Sequence, residues 1–179
     1  MQKKKYIPLK EFTDSKLRYS QLYLDEIKNP KIAGSEYEKA HQESFLFHLN
    51  GVVDAFLAEL NEIYGLGIKE KNLNIDTIKA AKSDSKKVIK EGKKLGKLMG
   101  KKNWLYELKS FNPYIIPAIK KTKKTKADKD EASNFVEQVS PIPSNPVLDK
   151  FEEWQAKMRK LIPDLRESAL LASDKISKK

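Results

Sequence analysis

Apolar residues recur along most of the chain at three- and four-residue intervals, the spacing of one face of a helix, and no stretch alternates residue by residue as a half-buried strand would. Leu17, Gln21, Leu24 and Ile27 mark a first helix, with Thr13 or Asp14 as its N-cap and Asn29-Pro30 as its stop. A second, stronger pattern runs through Phe45, Leu49, Val52, Phe56, Leu60 and Ile63. Ser35 and Glu38 stand in capping-box relation at its start, and Gly65 and Gly67 close it. At 1.5 Å per residue this helix is roughly 45 Å long, so the body is expected to be elongated.

A third helix is predicted from Asn74 or Asp76, with a narrow apolar stripe through Ile75, Ile78, Ser85, Val88, Gly92, Leu95 and Met99. The segment NWLYELKSF adds a shorter piece, closed by Pro113 and Pro117. The polar, low-complexity run Lys120 to Asn134 cannot bury enough surface to offset its ordering entropy and reads as part of a mobile loop over 120–144. Asn145 as N-cap and Pro146 at the first position open the last helix, whose apolar side is Phe151, Trp154, Met158, Leu161, Leu165 and Leu170, with a kink or restart at Pro163. The expected fold is all-α: one domain over residues 1–179, an elongated bundle of four main helices with a long polar crossover before the last. Mobile ends are expected at 1–10 and 173–179.

Two of these segments, ESFLFHLNGVVDAFLAELNEIY and NPVLDKFEEWQAKMRKLIPDLRES, resemble a family of small all-helical bacterial proteins of unknown function, over about Ser15 to Ser168. The resemblance implies an all-helical, bacterial, intracellular protein. It brings no catalytic residues with it, and the lysine-rich third helix and the Lys120 to Asn134 segment depart from its pattern.

Composition narrows the function. The chain has 179 residues, 39% apolar and 34% charged, and seven glycines, few for a sheet-rich fold. It has no cysteine, which excludes disulfides, thiolate metal sites and thiol nucleophiles and fits the cytosol. The N-terminus is basic without the apolar run of a signal peptide, and no segment reaches the ~18 apolar residues of a bilayer span, so no membrane partner is expected and the location is read as cytoplasmic. Net charge is +11, and between Lys69 and Lys102 twelve lysines face only Glu70, Asp76, Asp84 and Glu91. Such a concentration creates a field for acidic partners.

Within that block Gly92, Gly96 and Gly100 stand four apart. A nucleotide-binding loop needs four residues between its glycines and a Ser or Thr after the lysine; GKLMGKK has three and no hydroxyl. A membrane helix is excluded by lysines costing about 2.5 to 3.5 kcal/mol each at the bilayer centre. Two readings stay open: the glycines form a groove that admits a neighbouring helix, or they mark a hinge or frayed end. Interior glycines cost about 1 kcal/mol each in a helix, so a groove would supply the compensating contact.

Lys86, Lys90, Lys93, Lys94, Lys97 and Lys101, with Lys82, cover one helical surface suited to tracking phosphates, and Trp104 is the candidate for an added contact. Tyr106, Phe111 and Tyr114 are read as core. His41 and His48 lie two turns, about 10 Å, apart, too far to share a metal at ~2.1 Å bonds, and Glu38-x-x-His41 lacks the second copy of a di-iron bundle, so no metal or other cofactor is expected. Serines sit outside any elbow motif. Glu59 and Glu62, like Glu152 and Glu153, are read as solvated helix-face carboxylates. The expectation is a non-enzymatic binding protein for RNA, DNA or a ribonucleoprotein surface, ahead of an acidic protein. The alternative is an interaction or scaffold protein that homodimerises through apolar faces, its lysines serving solubility.

Overall fold

A computed structural model describes residues 3–82, 88–112 and 146–177. Among them the protein is all-α, with helices α1 (Lys3–Ile27), α2 (Glu36–Ile63), α3 (Ile75–Ala80), α4 (Lys90–Leu98), α5 (Trp104–Ser110) and α6 (Pro146–Ser177). The expected loop over Lys120 to Asn134, with its flanks to residue 144, lies outside the described residues. Three helices are long and three are short, in place of the four main helices the periodicity suggested.

The long helices form the frame. Lys16 lies against Gly51, Tyr19 against His48 and Tyr23 against His41, so α1 and α2 run antiparallel, joined by the Pro30–Ile32 turn. Asp14 and Gln21 of α1, and Lys28 just beyond its end, meet Arg166, Arg159 and Glu152, so α6 is antiparallel to α1 and parallel to α2. Apolar stripes converge in a core where Phe45, Phe56, Phe151, Trp154, Leu49 and Leu60 are excluded from water. Phe45 and Phe151 stack with centroids 4.7 Å apart, and each large side chain so buried contributes roughly 1.5–3 kcal/mol.

Local signals account for the ends of α2. Ser35 Oγ accepts from Glu38 N at 3.3 Å. The Glu38 carboxylate reaches one residue further back than in a capping box, accepting from Gly34 N at 2.5 Å. Gly65 and Gly67, with φ of 61° and 64°, turn the chain away in the left-handed region that favours glycine.

Two boundaries differ from expectation. α1 begins at Lys3, not at Thr13 or Asp14, so residues 3–10 are helical, as are residues 173–177 at the other end of the chain. Tyr6 is buried in the core and holds the early turns. Thr13 Oγ1 donates back to Leu9 O, and Asp14 binds Arg166, so neither side chain acts as a cap. α6 passes through Pro163 without restarting. Pro163 and Arg159 are both exposed, so the carbonyl left without a partner lies on the solvent side.

The long third helix divides. Asn74 caps α3 through a reciprocal pair with Thr77; the chain then closes an isolated bridge between Lys82 and Val88, and α4 packs back on α3. Folding back removes Ile78, Ile89 and Leu95 from water together, which one straight helix with a narrow stripe would not achieve.

A charged clamp ties the long helices. Arg166 donates through Nε and Nη2 to the two Glu59 oxygens at 2.8 and 2.9 Å, and through Nη2 to Asp14 at 2.8 Å. Glu59 is 0% exposed, contrary to the solvated carboxylate expected from the sequence. Burial alone would raise the Asp14 pKa, but hydrogen bonds and charge from Lys10 and Arg166 outweigh it and hold the carboxyl below its ordinary value. A depressed carboxyl stabilises the fold above its unfolded pKa, and that contribution is lost as pH falls through the folded value. Asp14→Asn is therefore expected to lower stability at neutral pH, with the gap to wild type closing in urea titrations only as pH falls below the ordinary carboxylate range.

Candidate polyanion-binding face

α4 is built from the inside out. Gly92 and Leu95 face inward, and so does Glu91, the one acid of the helix. Glu91 is 1% exposed. Its Oε2 accepts from Tyr64 OH at 2.8 Å and its Oε1 from Ser168 Oγ at 2.5 Å, which pins α4 to the end of α2 and to α6. Burial, then the Glu91 hydrogen bond and charge, push the Tyr64 hydroxyl well above its usual pKa, so it stays a donor.

With the acid turned in, the outer face is purely cationic. Lys90, Lys93, Lys94 and Lys97 are exposed and fall within about 100° of arc over two turns, roughly 10 Å along the axis. Lys101 is exposed in the turn that follows. None of the five enters an ion pair among the described residues. Lys86 lies outside the described residues. Trp104 opens α5, partly buried and packed against the core; Phe111 packs edge-on to Phe151 and Trp154.

The three glycines occupy different environments. A Cβ at Gly92 would lie 2.8 Å from Ile78 Cγ2 and 3.0 Å from Ile78 C and Lys79 N, so α3 approaches α4 to near backbone contact there. At Gly96 the nearest atom is Lys79 Cδ, at 3.0 Å, on a flexible side chain. Gly100 lies beyond α4, in a turn where Asn103 Nδ2 donates to Lys97 O, and takes no part in the α3–α4 contact. Gly92→Ala is expected to destabilise by about 1–3 kcal/mol, overpacking outweighing the gain in helix propensity. Gly96→Ala is expected to stabilise by about 0.5–1 kcal/mol as Lys79 swings aside. Urea unfolding of both variants checks this; equal shifts would deny the close approach at Gly92.

The histidines belong to an aromatic cluster. His48 stacks on Tyr23 at 5.5 Å and lies edge-on to Tyr19 and Phe47, while His41 lies edge-on to Tyr23. Among the described residues no group of three or more His, Cys, Asp or Glu is placed to hold a metal, and no helix is long and apolar enough to cross a membrane. Sequence reasoning missed the burial of Glu91 and the Arg166 clamp; Glu59 follows Ala55 and precedes Ile63 by four, the one signal that it shares the core face. Comparison of the chain with protein-family models, with curated proteins and with solved structures finds no match.

Proposed function

We propose that this protein is a non-enzymatic binding module whose α4 face engages a polyanion, RNA or DNA in the first place. The observation that carries the proposal is the cationic arc of Lys90, Lys93, Lys94 and Lys97, unpaired among the described residues because Glu91 points inward. Two turns of helix, about 10 Å, are long enough to reach more than one phosphate of a strand, and mobile ammonium groups bind phosphate as point charges without a preset geometry. A cysteine-free sequence suits a reducing compartment, and we place the protein in the cytoplasm.

Fluorescence anisotropy with labelled single-stranded RNA and duplex DNA, on protein stripped of nucleic acid and across a salt series, tests the proposal. Four phosphate contacts give an expected slope of log affinity against log salt of about −3 to −4 on duplex and about −3 on a single strand. Absence of binding at low salt would reduce the lysines to a solubility feature.

A further inference from the structure

Most of the exposed large apolar side chains of the described residues lie on α1 and α2, and three of them form one cluster. Phe12 is 54% exposed, Tyr19 42% and Phe47 67%. Lys16 Nζ sits 5.3 Å from the Phe12 ring centroid and 4.5 Å from that of Phe47, joining the two rings, and His48 bridges Phe47 to Tyr19 at 5.2 and 5.3 Å. α6 meets α1 through Asp14, Leu17, Ser20 and Gln21, none of which belongs to this cluster. Arg18 lies over the Tyr19 ring at 5.5 Å, and apart from these two cations the three rings stay open to solvent.

We propose that this α1–α2 face is a homodimer interface, in which the Phe12, Tyr19 and Phe47 rings of one copy pack against the same face of a second. Charge selects the occupant. α1 and α2 together carry seven Lys or Arg and ten Asp or Glu, a net of −3, in a chain whose total is +11. Arg166 of α6 and Lys109 of α5 add two positive charges to acids of this pair, leaving it close to neutral. Burial, and then the Lys16 charge, hold the His48 pKa below its ordinary value, so the ring stays neutral at physiological pH. A polyanion finds no free cationic arc here, because Lys16 and Arg18 are both engaged by the rings. Two copies of a +11 chain approach most readily where neither brings its positive excess, and this helix pair carries none. The helix pair has room for such a contact: α1 is about 37 Å long and two adjacent helices are about 20 Å wide, an outline of roughly 750 Å² on which a standard interface of about 800 Å² per partner can be built. A two-fold pairing uses the same patch twice and closes without leaving a sticky surface.

Sedimentation velocity over a concentration series, in about 0.5 M salt so that residual nucleic acid cannot bridge copies through α4, tests this. Wild type is expected to run at twice 20.6 kDa at roughly 50 µM. Phe47→Glu is expected to raise the dissociation constant at least a hundredfold with an unchanged circular-dichroism spectrum, since an exposed glutamate there can pair with Lys16. Lys97→Glu, on the opposite chemistry, is expected to dimerise as wild type does. A wild-type protein that stays monomeric at several hundred micromolar overturns the proposal, as does a dimer whose dissociation constant Phe47→Glu leaves unchanged.

Discussion

Arg166→Ala is expected to cost about 3–5 kcal/mol of stability, as much as truncating a large core side chain. The guanidinium is the cationic partner of a carboxylate with no exposure, and it satisfies both Glu59 oxygens while also reaching Asp14. Its own pKa is raised because the hydrogen bonds and charges of Glu59 and Asp14 outweigh the opposing effect of burial. Truncation leaves Glu59 either ionised without a partner or forced to take up a proton, and both alternatives destabilise the fold. The clamp itself contributes less than its breakage costs, since two buried ions surrender their hydration to meet. The double variant Glu59→Leu, Arg166→Met is therefore expected to recover most of the loss in urea unfolding. A single Arg166→Ala variant within about 0.5 kcal/mol of wild type would show that water reaches Glu59 and that the clamp is not buried.

This clamp also marks where sequence reasoning ran out. α2 was legible because its apolar period, its Ser35 cap and its terminal glycines all agree and all act locally. Pro146 opens α6 for the same reason. Glu59 was not, because its residue type argues for solvent while its position four residues from Ala55 and Ile63 argues for the core, and only Arg166, 107 residues away, resolves the conflict. Tyr6 extends α1 by a tertiary contact that no cap rule anticipates. The stripe from Ile75 to Met99 fits one long helix or two short ones folded together, and the burial of Ile78 against Gly92 selects the second. In the candidate site, the lysine spacing was plain in the sequence because it is local. The inward turn of Glu91 was hidden, since it depends on Tyr64, just past α2, and Ser168 of α6 converging on it. Gly100 was grouped with Gly92 and Gly96 by spacing alone, and the end of α4 at Leu98 separates it from them.

Reversing charge at Lys90, Lys94 and Lys97 together is expected to weaken nucleic-acid binding by several hundredfold at about 0.1 M salt. Each phosphate contact releases about 0.9 of a counterion, worth roughly 1.2 kcal/mol at that concentration, so three lost contacts remove nearly 4 kcal/mol before any repulsion from the new carboxylates. The slope of log affinity against log salt should fall from between −3 and −4 to about −1, the share left to Lys93. All three side chains are exposed and unpaired among the described residues, and the contacts that fix α4 are made by Glu91, Gly92 and Leu95 on its inner face. Thermal stability should therefore change little, and a retained melting transition separates loss of binding from loss of fold. Glu91→Ala gives the converse case: it removes negative charge from α4, which simple electrostatics would count as a gain for polyanion binding. It also leaves Tyr64 OH without its carboxylate partner and removes the Ser168 hydrogen bond that ties α4 to α6. If the face works as a fixed arc, Glu91→Ala binds no more tightly than wild type despite the added net positive charge. If binding instead tightens as net charge alone predicts, the polyanion is held by diffuse charge and the ordered arc of α4 has no special role.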